Sequence, residues 1–137
     1  MNKTSLSYKI STFIKNYLFA ILWGAFILFA TLTSGGTLSR FHLSELFNYD
    51  KPIHMFLFGA QSWLIIAGRR KSAYKNDMNI VLYSCIIGMG FGIITELLQG
   101  FIVLFGRSFD VMDMIADALG CLVVYVWFWL KHKPFAQ

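Results

Sequence analysis

Residues 17–33 read YLFAILWGAFILFATLT, and no charged residue stands between Asn16 and Ser39. A helix needs about 20 mostly apolar residues to cross the hydrocarbon core of a bilayer. The stretch near 17–37 meets that length and reads as a membrane span. Three more apolar runs follow it. Pro52 to Gly68 holds one titratable residue, His54, and starts at a proline, which suits the first turn of a helix. Met78 to Thr95 is uncharged, meets Glu96 and continues apolar to Phe105. Val111 to Leu130 is interrupted by Asp113 and Asp117. The expected fold is all-α: one membrane domain over residues 1–137, built as a bundle of four transmembrane helices near 17–37, 52–68, 79–100 and 111–130.

Composition agrees. Of 137 residues, 14% are charged, 57% are hydrophobic and 18% are aromatic. An average soluble domain is about 25% charged. Disorder is excluded, because it needs low hydrophobicity and high charge density. A soluble domain of this length would need more polar residues to cover its surface. Cys85 and Cys121 both lie in apolar runs without disulfide or metal spacing and read as core packing. No P-loop, Gly-rich dinucleotide turn or Ser-His-Asp arrangement is present, so no cofactor is expected.

The basic residues orient the chain. Lys3, Lys9, Lys15, Arg69, Arg70, Lys71, Lys75, Lys131 and Lys133 fall on one side of four crossings; Arg40, Lys51 and Arg107 fall on the other. By the positive-inside rule the richer side is cytoplasmic, and both termini lie there. The loop from Arg69 to Lys75 could be a lipid or nucleic-acid patch, but orientation alone accounts for its cations; no nucleic-acid partner is expected. Lys3, Lys9 and Lys15 before an apolar run also resemble a signal peptide. The run is longer than a usual signal core and no small-x-small site follows it cleanly, so an uncleaved anchor is expected.

The acids show the opposite bias. Asp77 alone is on the cytoplasmic side; Glu45, Asp50, Glu96, Asp110, Asp113 and Asp117 lie toward the external ends of the helices. Ionisable residues inside a span cost about 2.5–3.5 kcal/mol at the centre on insertion scales and mark function by default. Their spacing is helical. Asp50, His54 and Gln61 stand at i, i+4 and i+11; Glu96 and Gln99 at i, i+3, with Gly92 one turn earlier; Asp110, Asp113, Asp117 and Gly120 at i, i+3, i+7 and i+10. Each helix therefore has one polar edge, and the three edges meet if helices two, three and four pack face to face. The glycines of Gly88-Met-Gly90-Phe-Gly92 permit such close approach. Simple capping accounts for Asp110, and a first-turn position is open to Asp113 on the same grounds, but neither explains Asp117 or Glu96, which need partners such as Lys51, His54 or Arg107.

Three blocks then resemble the VanZ family of small membrane proteins: Asp50-Lys51-Pro-Ile-His54-Met-Phe-Leu-Phe58; Gly92-Ile-Ile-Thr-Glu96-Leu-Leu-Gln99; and Gly106-Arg107-Ser108-Phe109-Asp110-Val-Met-Asp113-Met-Ile-Ala-Asp117-Ala-Leu-Gly120. The resemblance covers about residues 20 to 130. It implies a polytopic protein of the bacterial inner membrane linked to teicoplanin resistance. One position departs from it, because the family usually has Asn where Asp117 stands.

The candidate functional cluster is Asp50, Lys51, His54, Glu96, Gln99, Arg107, Ser108, Asp110, Asp113 and Asp117. Its expected partner, besides the lipid bilayer, is an amphiphilic or lipid-linked ligand such as a glycopeptide or a cell-wall precursor. Whether the protein is an enzyme stays open. If it is, Glu96 or Asp113 is the expected base and His54 the proton-transfer partner. A metal version would use His54, Glu96 and Asp113, but no metal-spaced motif is visible and no metal is expected. A purely structural ion-pair network is the third reading.

Overall fold

The structure is a computed structural model that describes residues 3–32, 50–73, 77–101 and 109–132. Among these residues there are four helices and no strand: α1 (Lys3–Leu32), α2 (Asp50–Ala73), α3 (Met78–Phe101) and α4 (Val111–His132). Helices α1, α3 and α4 are each long and apolar enough to cross a membrane. Helix α2 has 24 residues, about 36 Å of helix, which is length enough. Charges at both its ends lower its hydropathy. It tolerates polar residues because it is the central helix: α1, α3 and α4 all pack on it, and His54, Gln61 and Ser62 are buried in those contacts.

The faces follow from residue spacing. On α1 the buried stripe is Ala20, Gly24, Ile27 and Thr31, one line at alternating four- and three-residue steps. The rest of α1 points outward, with Phe19 and Phe29 both largely exposed. Large apolar side chains on α3 and α4 are exposed in the same way, including Ile94, Val123 and Leu130. Such an outer surface belongs against lipid, since lipid tails leave no penalty for exposed Leu, Ile and Phe. The core joins Ile27, Leu57, Phe58, Ile66, Val81, Cys85, Cys121, Val124 and Phe128. Both cysteines are buried in it, and the Ser62 hydroxyl donates to Cys121 Sγ at 3.1 Å.

Helix α1 starts earlier than the apolar run suggests. Its first half carries Leu6, Ile10, Phe13, Ile14 and Tyr17 at helical spacing, with no glycine or proline to stop it. Asn16 Nδ2 donates to Ser72 Oγ at 3.0 Å, so the bundle begins near Asn16 and the first turns run past the end of α2. Residues 33–37, expected to close the first helix, lie outside the described residues.

The helices alternate in direction. The C-terminal end of α2 lies beside the start of the packed part of α1 and the end of α4, where the Arg70 guanidinium sits over the Phe128 ring at 4.4 Å. Lys15, Arg69, Arg70, Lys71 and Lys131 gather at this end. The opposite end, where α1 and α3 finish and α2 and α4 start, has Lys51 as its one lysine or arginine among the described residues.

Helix starts are capped by aspartates. Asp77 Oδ1 accepts the Asn79 N–H at 2.9 Å before α3, and Asp110 Oδ1 accepts the Met112 N–H at 2.7 Å before α4. Asp110→Ala is expected to cost about 1 kcal/mol of stability, whereas Asp110→Asn keeps the cap and loses far less. Unfolding of the purified variants in mixed micelles by titrated SDS, followed by circular dichroism, checks this.

Candidate functional site

The polar edges of α2, α3 and α4 converge at one end of the bundle. The first turns of α2 carry Asp50, Lys51 and His54; the last turns of α3 carry Glu96; the first turns of α4 carry Asp113 and Asp117. His54 is 3% exposed, Glu96 0%, Asp113 7% and Asp117 1%, so all four are taken out of solvent and lipid alike. His54 Nδ1 stands 2.9 Å from Asp117 Oδ1. On its other edge, Nε2 faces Asp50 Oδ1 at 3.8 Å and Asp113 Oδ2 at 3.9 Å. The imidazole thus bridges an inner carboxylate and two nearer the mouth. Its ring lies stacked over Phe58, which closes the site from below.

Lys51 covers the mouth. Its ammonium donates to Asp113 Oδ1 at 3.2 Å and lies 3.7 Å from Asp110 Oδ2. Its side chain is 46% exposed. Glu96 Oε2 accepts the backbone N–H of Asp110 at 3.3 Å, which ties the end of α3 to the cap of α4. Within the cluster, Glu96 Oε1 and Asp117 Oδ2 are buried with no hydrogen-bond partner among the described residues, as is Gln61 Oε1 deeper in the bundle.

Glycine sets these distances. A Cβ on Gly92 would come within 2.8 Å of Asp117 Oδ2, so only glycine at that place on α3 lets the Asp117 carboxylate sit against the helix backbone. Gly88 and Gly92 face the other helices, whereas Gly90 has open space around it.

One described residue of the expected cluster stands apart from it. Gln99 is buried but turns to α1, donating to the Thr31 carbonyl at 2.8 Å. That carbonyl is in the last described turn of α1, so the amide ties α3 to α1 there. Arg107 and Ser108 lie outside the described residues. Gln61, on the same edge of α2 as His54, lies nearly two turns deeper, where a Cβ on Gly24 of α1 would meet its amide. Asp110 is in contact with the site through Lys51 and Glu96, and its own carboxylate serves as the cap.

Two triads offer ligand atoms close enough for a metal ion: His54, Glu96 and Asp117, all buried, and Asp50, His54 and Asp113. In each, one atom per residue lies within 4.8 Å of the others. The inner triad contains Asp117 and not Asp113, because Asp113 turns to Lys51.

An all-helical bundle with a lipid-facing apolar surface and a buried ionisable cluster at one end defines a polytopic membrane protein with a built polar site. A protein-family model described as VanZ/LLP1 matches residues 4–132, essentially the whole chain, and the protein belongs to that family. No curated protein and no solved structure gave a match.

Proposed function

We propose that this VanZ/LLP1 protein is a multi-pass protein of the bacterial cytoplasmic membrane whose polar cluster faces outward and engages the polar end of an amphiphilic envelope ligand, contributing to glycopeptide resistance of the teicoplanin type. The orientation rests on the cations: one end of the bundle is rich in lysine and arginine, which by the positive-inside rule puts it, and both termini, in the cytoplasm. The observation that carries the site is the burial of His54, Glu96, Asp113 and Asp117 together under Lys51. Such groups are costly within a membrane and are retained where they act on something. The ammonium of Lys51, half exposed at the mouth, is available to meet a phosphate or carboxylate; Arg107, outside the described residues, is by sequence a second cation on the same side of the membrane.

The test is resistance in cells carrying Glu96→Ala, Asp113→Ala or Arg107→Ala. Each is expected to lose most of the teicoplanin protection given by the wild type while staying in the membrane at comparable level. Unchanged resistance in all three refutes the reading. Disappearance of the proteins from the membrane instead favours a purely structural network.

The His54–Asp117 pair favours a second reading, an intramembrane enzyme acting on a lipid-linked substrate. A buried imidazole held by a carboxylate is suited to relay a proton, and Glu96 beside it has a carboxylate oxygen with no partner. Turnover of labelled lipid precursors by purified protein decides between the two, with no product, with or without divalent metals, counting against catalysis.

A further inference from the structure

We infer that His54, Glu96 and Asp117 form a binding site for a divalent transition-metal cation at the floor of the polar cluster. The three residues come from three helices, are each at most 3% exposed, and offer one ligand atom apiece within 4.8 Å of one another. Ligands held about 2.0–2.2 Å from a zinc-class ion stand roughly 3–4.4 Å apart.

The unpartnered oxygens point to an ion. Glu96 Oε1 and Asp117 Oδ2 are buried without a hydrogen bond, and among the described residues no lysine or arginine pairs with either carboxylate. Each carboxylate has one partnered oxygen, Asp117 Oδ1 with His54 and Glu96 Oε2 with the Asp110 N–H, and one without; buried charges in native proteins are paired or coordinate metals. The cation at the mouth does not compensate them, because Lys51 is engaged with Asp113 and Asp110. The outer triad of Asp50, His54 and Asp113 makes the weaker claim, since Asp113 already has Lys51 and the Asp50 side chain is 33% exposed.

The donor set fixes the class of ion. One imidazole and two carboxylates suit Zn²⁺, Mn²⁺ or Fe²⁺; an all-oxygen set would suit Mg²⁺ or Ca²⁺, and thiolates would suit Cu⁺. Nδ1 of His54 is the nitrogen on the Asp117 side, and Nε2 faces Asp50 and Asp113. Carboxylates behind the far nitrogen of a metal-bound histidine orient the ring and raise its basicity. Three protein ligands leave coordination positions free for an exogenous group, as in sites that bind or transform a ligand and unlike closed structural sites.

The inference concerns the same residues as the proposed function but does not depend on it, because metal binding is read on the protein alone. Full-length protein purified in detergent is stripped with chelator, and Zn²⁺ and Mn²⁺ binding is measured by calorimetry and by metal analysis after desalting, with Mg²⁺ for comparison. About one Zn²⁺ or Mn²⁺ per chain is expected, with Mg²⁺ bound far more weakly. Glu96→Gln and Asp117→Asn keep the side-chain shape and are expected to weaken binding by more than about 100-fold, and Asp113→Asn, in the outer shell, by about 10-fold. Co²⁺ loaded into the wild type should show a visible ligand-field spectrum that Glu96→Gln loses. Size-exclusion profiles confirm that the amide variants are folded. No stoichiometric binding in the wild type overturns the inference. So does binding unchanged in Glu96→Gln and Asp117→Asn, or binding that only Asp50→Asn and Asp113→Asn remove. Metal binding without a resistance phenotype, or resistance in a protein that binds no metal, separates this inference from the proposed function.

Discussion

Gly120→Val is expected to abolish the folded bundle. A Cβ on Gly120 would lie 2.8 Å from the Met55 carbonyl carbon and 2.9 Å from its Cα, and closer still to the carbonyl oxygen. Those are backbone atoms of α2, so no side-chain rotation relieves the contact. On the facing helix, a Cβ on Gly59 would lie 3.1 Å from the Gly120 oxygen. The two glycines face each other and fix the closest approach of α2 to α4, the way small residues generally let membrane helices touch. Overpacking into flexible surroundings costs about 1–3 kcal/mol. Here α2 and α4 must separate, which also pulls His54 from Asp117 and Lys51 from Asp113. Loss of monodisperse protein in size-exclusion chromatography is the expected result. Gly90→Ala is the control: nothing lies within 4 Å of its Cβ position, and alanine gains about 1 kcal/mol of helix propensity over glycine. A Gly120→Val protein that is monodisperse and as stable as the wild type refutes this account of the α2–α4 crossing.

The second large effect is expected from His54→Leu. It removes the one group among the described residues that hydrogen-bonds the buried Asp117 carboxylate, and it leaves Asp50 and Asp113 without the ring they face. Removing one partner of a buried pair costs about 3–5 kcal/mol, because the other charge stays buried and uncompensated. The double variant His54→Leu/Asp117→Leu removes both members and is expected to recover a large part of that loss. Lys51→Met acts at the half-exposed mouth, where water screens its ion pairs, and is expected to cost far less than His54→Leu. Unfolding free energies in titrated SDS check the ranking. A double variant no more stable than His54→Leu would mean that the pair does not act as a unit.

Much of the architecture was legible from the chain alone. Apolar runs longer than a bilayer is thick, separated by charged or polar segments, allow few folds other than a bundle of spanning helices. The polar edges were legible too, since the period of a helix places Asp113 and Asp117, or Asp50 and His54, on one face whatever the helix packs against. Helix ends were less so. Residues 3–16 look polar by composition, yet they continue α1, because a helix already nucleated by the span extends for as long as no glycine or proline stops it.

Partners were the illegible part. Gln99 has the same spacing from Glu96 as Asp113 has from Asp110, yet Gln99 serves α1 and Asp113 serves Lys51. Spacing along one helix gives a face, but the neighbour opposite that face depends on how the helices cross. The Gly59–Gly120 contact determines that crossing, and it depends on the absence of side chains. Gly92 likewise looks like any membrane glycine until Asp117 is found against it.

The sequence by itself determined that this is a membrane-embedded helical bundle whose acids collect at one end, because hydrophobic length and helical period are local properties of the chain. Only the tertiary structure decided that His54 is shared between Asp117 on one side and Asp50 and Asp113 on the other, that Lys51 takes Asp113, and that Glu96 and Asp117 each keep a buried oxygen with no hydrogen-bond partner among the described residues. Those pairings are contacts of 2.9–3.9 Å between side chains of helices far apart in sequence, and close glycine packing across α2, α3 and α4 brings them together.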